Sequence, residues 1–352
     1  MTTALNPNKK MPLNIAATNG LTTGIGSLPH HNADSALEYA FRFDIPFLPQ
    51  IPLRNPHEFM LPQALEGLPG LRTGNDGIPR LDLAAWETGR ADFLKALQNV
   101  ASEEWLPTSE ALRCWKGFLF EIEERKTSIA KIQIAGPLTC QWSFAREIPE
   151  LSTAIYRLVI NRILGMAAAL QERGVQPIVF LDEPGLYGLT LDSSAHRLGL
   201  QELKLGIQML KSRGAWVGLH CCSNTVWESV LQLDVDWLSI DCKLSLVSLL
   251  SKTAEVRRFL ERGGRLSLGV IPSELPHLKP DLIASDVHGR LAQWLGTVPQ
   301  VAQKLLREAL YTPACGLAFH SIEQTESVFE ELKTARKLLI ERRPEHQRSS
   351  SP

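Results

Sequence analysis

Three side chains carry the most chemistry in this sequence. His220 and Cys222 stand two positions apart where the apolar run AWVGLH (215–220) ends, and Cys315 closes a second run, ALYTPAC (309–315). Strand side chains alternate between faces, so residues 220 and 222 point one way and Cys221 the other. Neutral imidazole and thiolate are natural zinc ligands, and a catalytic zinc typically has three protein ligands and one exchangeable position. His220, Cys222 and Cys315 are therefore a candidate Zn2+ site. Asp241, at the end of the run DWLSID (236–241), is a fourth ligand or a hydrogen-bond partner of one. The plainer alternative is a satisfied core histidine among buried thiols. Cys114, Cys140 and Cys242 show no such grouping and are read as packing residues.

Asp182 and Glu183 follow the apolar run IVFL and precede Pro184. A carboxylate at the end of a buried strand is costly unless it is paired or binds something. Asp182 is thus a candidate for holding a substrate ammonium group, or else a cap for the next helix. Trp142 can stack on a flat ligand, although a lone tryptophan also serves as core.

These residues need a scaffold that collects strand ends. Eight short apolar runs are present: 21–27, 45–50, 129–136, 177–183, 215–220, 236–241, 265–271 and 309–315. Continuous apolarity suits parallel strands buried on both faces. Helical periodicity fills the intervals, with Gly174, Gly214 and Gly263 where helices should stop. The expected fold is α/β, a single-domain (β/α)8 TIM barrel over 21–341, with an open doubly wound sheet as the alternative. The interval 51–128 is longer than one βα unit needs and is read as an insertion near one mouth. Residues 1–20 are read as a disordered lead-in, and 342–352 as a disordered tail. In such barrels, catalytic groups sit at the carboxyl ends of the strands, where the residues above fall.

The 352 residues carry a formal net charge of −1, 44% hydrophobic and 21% charged residues. No global field favours nucleic acid or a membrane surface as partner, and no continuous apolar run of membrane-spanning length stands out. Six cysteines in so long a chain do not form a disulfide scaffold, and the expected compartment is the reducing cytoplasm.

The motifs GIGSLP (24–29), GPLTCQWSFARE (136–147), LDEPGL (181–186), HCC (220–222) and PACGL (313–317) occur in this order. With them the chain resembles, from about residue 22 to 320, the C-terminal catalytic half of cobalamin-independent methionine synthase. That half belongs to the uroporphyrinogen decarboxylase/methionine synthase barrel superfamily. The resemblance implies a zinc-dependent transfer of a methyl group to homocysteine. It places His220, Cys222 and Cys315 on zinc, and Asp241 where the family has a glutamate ligand. It places Ile25 to Ser27 on the substrate carboxylate and Asp182 on its amino group, with Glu58 as the second amino-binding residue. Trp142 takes the place of the family's pterin-stacking tryptophan.

One departure bears on the donor. The loop after the seventh run should carry an aspartate and a histidine linked to proton delivery, but here it reads GVIPSE (269–274). Methyl-folate needs an acid at its leaving nitrogen. Glu274 or His277 is a substitute, or else the donor is a methyl-corrinoid, with a corrinoid protein as partner. Two rival readings stand beside this one: a non-catalytic zinc-binding barrel, and a decarboxylase of the same superfamily.

Overall fold

The computed structural model describes residues 13–100, 103–145, 148–273, 279–295 and 299–341. The expected tail 342–352, most of the lead-in, and Glu274 and His277 lie outside the described residues. Within 13–20 the structure corrects the expectation of disorder. Ile15–Thr18 form a 3-10 turn, and Arg265 donates to the Ile15 carbonyl and the Asn19 side chain.

A short antiparallel hairpin, β1 (Leu71–Thr73) and β2 (Pro79–Leu81), lies in the 51–128 interval, among short helices and the longer helix Leu83–Ala96. Six parallel strands then form one curled sheet in chain order. They are β3 (Ile129–Ala135), β4 (Gln176–Asp182), β5 (Trp216–Cys221), β6 (Trp237–Asp241), β7 (Arg265–Ile271) and β8 (Leu310–Pro313). Each matches an expected run within a residue or two. Apolar side chains on both faces make these segments stable only where both faces are covered.

The other two expected strands are not regular strands. Residues 21–28 and 45–50 pair through isolated parallel bridges: Thr22 with Tyr311, Ser27 with Gln50, and Phe47 with Lys131. Pro46 and Pro49 have no N–H to donate, which breaks any ladder through the second segment. Backbone hydrogen bonds still link the segments in turn, from Tyr311 N to Leu21 O at 2.9 Å, Ile45 N to Thr22 O at 3.0 Å and Lys131 N to Pro46 O at 2.9 Å.

Alternation divides the sheet into two faces. Val179, Leu181, Val217, Leu219, Cys221, Leu238, Ile240, Leu266 and Leu268 pack in the main core with the helices. On the opposite face, Ile178, Phe180, Trp237 and Leu310 form a separate apolar cluster with Ile45. The same face turns polar towards the carboxyl ends of the strands, where period-two spacing gives Lys131 and Gln133, Asp182, His220, Ser239 and Asp241, Ser267 and Thr312.

Helix stops follow the sequence expectation. Gly174, Gly214 and Gly263 adopt φ of 71°, 82° and 94°, a left-handed region that a β-carbon penalises. The 24-residue helix Pro149–Glu172 is long and apolar enough to cross a bilayer, yet 78% of its apolar stretch is buried inside the protein. It is a core helix here.

Candidate metal and substrate site

At the carboxyl end of β5, His220 and Cys222 share the concave face while Cys221 points into the helix layer. Cys221 is fully buried, and its thiol donates to the Ser223 carbonyl. Burial pushes that thiol up to about 12, so it is inert at neutral pH. Cys222 is half-buried and behaves oppositely. Hydrogen bonds from Cys315 and His220 outweigh desolvation and bring its sulfur down to about 4. Cys315, two residues past β8 and on the accessible surface, is the proton-bearing partner. Its hydrogen bond to Cys222, with burial of the sulfur, pushes its thiol well above the ordinary range.

The structure therefore brings together the three sequence-predicted ligands, meeting through the Cys222 sulfur. Among the described residues, no group of three or more His, Cys, Asp or Glu side chains stands in a metal-holding arrangement around a common centre. The donor types nonetheless fit zinc: one imidazole and two sulfurs. His220 Nδ1 lies 2.9 Å from Ser239 Oγ, which leaves Nε2 for a sulfur or a metal.

Asp182 pairs in register with His220 across β4 and β5. Burial raises its carboxyl to about 6, opposed by the nearby His220 and Lys131 charges. It remains mainly ionised at neutral pH and can hold a cation. Asp241 is buried at the head of helix Cys242–Leu250, where its Oδ1 accepts from Leu244 N at 3.0 Å. Its carboxyl is raised by burial, and the neighbouring Cys222 adds to this. The carboxylate is thus committed to the head of the helix, where it accepts from Leu244 N and also takes a backbone hydrogen bond from Lys243.

Ser27 packs against the Cys315 loop: its carbonyl accepts from Leu317 N at 2.7 Å. A β-carbon on Gly316 would fall 2.1 Å from Ser27 Oγ, so the glycine of the CGL motif permits this approach. The Ile25 carbonyl accepts from the buried Lys131 ammonium at 2.7 Å. Glu58 lies elsewhere in its contacts. Its carboxylate is buried and accepts from Ile51 N at 2.7 Å, Asn55 Nδ2 and Arg113 N, all within or beside the inserted segment. Trp142 stacks on His196 with centroids 4.0 Å apart and a 28° interplanar angle, so one indole face is already covered.

Glu183 turns out to be architectural. Its carboxylate accepts from Leu138 N, Thr139 N and Thr139 Oγ1 at the start of helix Pro137–Phe144. Much of the GPLT…DEP pattern is accounted for by this cap on the preceding helix, rather than on the following one.

Residues that motif reasoning passed over are Lys131, Gln133, Ser239, Ser267 and Thr312. The available signal was polar residues at period two inside apolar runs, as in IAKIQIA and DWLSID.

Compared with family models and with curated proteins, the chain matches none. Among solved structures it is similar to a methyltransferase from Methanosarcina mazei, with 17% identity, 94% of each chain covered and a TM-score of 0.54. At that identity the likeness is one of fold: a parallel-stranded α/β architecture with helices on the outside.

Proposed function

We propose that this protein is a zinc-dependent thiol methyltransferase, with homocysteine as the methyl acceptor. The reading includes closure of the curled sheet into a single-domain (β/α)8 barrel over 21–341 by the bridging segments 21–28 and 45–50. The observation that carries it is the meeting of His220, Cys222 and Cys315 at the carboxyl end of the sheet, beside the ionisable Asp182. The fold shared with a methyltransferase supports the reaction class.

In this reading His220, Cys222 and Cys315 hold the metal. Bound zinc would supply the Lewis acidity that makes the substrate thiol a thiolate at neutral pH. Asp182 binds the ammonium of the amino acid, and Ser27 binds its carboxylate. Holding both groups fixes the sulfur for in-line attack on the methyl carbon. The sulfur–carbon bond forms as the donor's bond to that carbon breaks, and the donor keeps the electron pair.

Two observations favour a methyl-corrinoid over a methyl-folate, and hence a corrinoid protein as partner. Trp142 has one face covered by His196, and the loop GVIPSE (269–274) lacks the aspartate and histidine linked to proton delivery in the resembled family. A corrinoid leaving group needs no proton, whereas a folate nitrogen does.

The test is metal analysis with an activity assay. The purified protein should hold about one zinc per chain, lost together with methyl transfer in Cys222→Ser and Cys315→Ser. Methionine should form from homocysteine with methylcobalamin and not with methyl-folate. Wild-type protein that neither carries nor takes up zinc would end this reading.

A further inference from the structure

Behind the Cys222 sulfur, a row of polar side chains runs across four strands. Asp182 on β4 pairs in register with His220 on β5, His220 with Ser239 on β6, and Ser239 with Ser267 on β7. Register partners of parallel strands present their side chains to the same face. Ser239 and Ser267 are both almost wholly buried, at 1% and 0% exposure. Ser239 Oγ is 2.9 Å from His220 Nδ1. Ser267 Oγ has no hydrogen-bond partner, which is costly for a buried hydroxyl unless it serves some state of the site.

The imidazole has two tasks with opposite demands. A neutral His220 that donates from Nε2 to the Cys222 thiolate has a bare Nδ1 and needs a donor there. A His220 that ligates through Nε2 carries its proton on Nδ1 and needs an acceptor there. A carboxylate or carbonyl partner serves only the second task. A hydroxyl serves both, because its O–H can rotate. Once Ser239 accepts from Nδ1, its own proton needs a new acceptor, and the adjacent Ser267 Oγ has one open.

We infer that Ser239, backed by Ser267, is a positioning residue whose rotating hydroxyl lets His220 change from hydrogen-bond donor to metal ligand. The inference rests on the zinc reading of the site. Protons balance: the ring releases the Nε2 proton to solvent and takes one from solvent at Nδ1, the Cys315 thiol would give up its proton to solvent on ligation, and the Ser239 O–H bond turns without breaking.

The test combines nitrogen NMR of labelled histidine with zinc affinity measured by chelator competition. In wild-type protein at a pH well above the imidazole range, His220 should be protonated at Nε2 without metal and at Nδ1 with zinc. Ser239→Ala should weaken zinc binding about 10–100-fold, the usual effect of removing a ligand's partner. Ser239→Thr, which keeps a hydroxyl, should restore most of it, and Ser267→Ala should show a smaller loss in the same direction. The same proton position in both states overturns the inference, as does unchanged zinc affinity in Ser239→Ala. Those outcomes differ from wild-type protein that takes up no zinc, which overturns the zinc reading itself.

Discussion

Glu183 Oε2 lies 2.7 Å from the backbone nitrogen of Thr139 and 2.5 Å from its hydroxyl, joining the end of β4 to the start of the helix after β3. Oε1 completes the cap with Leu138 N at 3.0 Å, and a β-carbon at Gly136 would come within 2.1 Å of it. Two residues at adjacent positions of one motif thus do different work. Glu183 builds the frame, and Asp182 faces the site.

The cap predicts a split in mutational outcome. Glu183→Ala leaves buried N–H groups unpaired and should lower stability in urea unfolding by about 1–3 kcal/mol. Gly136→Ala should cost a comparable amount through overpacking, roughly 1–3 kcal/mol. Asp182→Asn should leave stability nearly intact while abolishing capture of the amino-acid substrate. Equal stability losses for Asp182→Asn and Glu183→Ala would contradict this division.

Glu183 also sets a pH dependence. Burial raises its carboxyl from 4.5 to about 7 in the folded state. Between these values the folded protein keeps a proton that the unfolded chain has released. Its stability contribution is therefore full below the unfolded value and is lost as pH rises towards 7. Wild-type stability relative to Glu183→Gln should fall across that window, as read by urea midpoints. A relative gain would refute the assignment.

Lys131 gives the opposite sign at higher pH. It is wholly buried, donates to the Ile25 carbonyl and to Gln133 Oε1, and lies 4.9 Å from the Phe180 ring centroid. Burial lowers its ammonium from 10.5 to about 8, with Asp182 opposing the shift. Such a group favours the folded state most above its unfolded value, and that benefit is lost as pH falls through the folded one. Relative to Lys131→Met, wild-type stability should rise between pH 8 and 10.5. A flat difference across that range would show that burial does not lower the Lys131 ammonium.

Thiol reactivity should separate Cys222 from its neighbour. In metal-stripped protein at about pH 6, alkylation followed by mass spectrometry should label Cys222 first, because the thiolate is the nucleophile. Cys221, Cys114, Cys140 and Cys242 are buried and held as thiols. Removing the largest contribution to the low Cys222 value, in Cys315→Ala, should slow that labelling. Labelling of Cys221 ahead of Cys222 would place the wrong sulfur at the site.

Asp241 can be tested as ligand or cap. Asp241→Asn keeps an oxygen for Leu244 N and should retain stability, whereas Asp241→Ala should lose about 0.5–2 kcal/mol. Zinc content in Asp241→Asn should fall less than in Cys222→Ser. Complete loss of zinc with full stability would instead make Asp241 an obligatory ligand.

The sequence by itself determined the six regular strands of the parallel sheet and that Cys222 and Cys221 face opposite ways. Continuous apolar runs can be buried only between two covered faces, and strand alternation alone separates Cys222 from Cys221. Helix ends at Gly174, Gly214 and Gly263 were equally legible, since the left-handed turn that ends a helix favours a residue without a β-carbon. Tertiary structure alone decided the rest, because it depends on register between strands far apart in the chain. Only the pairing of β5 with β6 puts Ser239 beside His220, and only the return of the chain past β8 brings Cys315 to Cys222. Pairing also decided that 21–28 and 45–50 bridge at single positions, since a run of suitable composition still needs free N–H groups in phase with its neighbour. The commitments of Glu183 to Thr139, Glu58 to Ile51 and Trp142 to His196 were likewise invisible in sequence, because hydrogen bonding and stacking depend on which groups the folded chain places side by side.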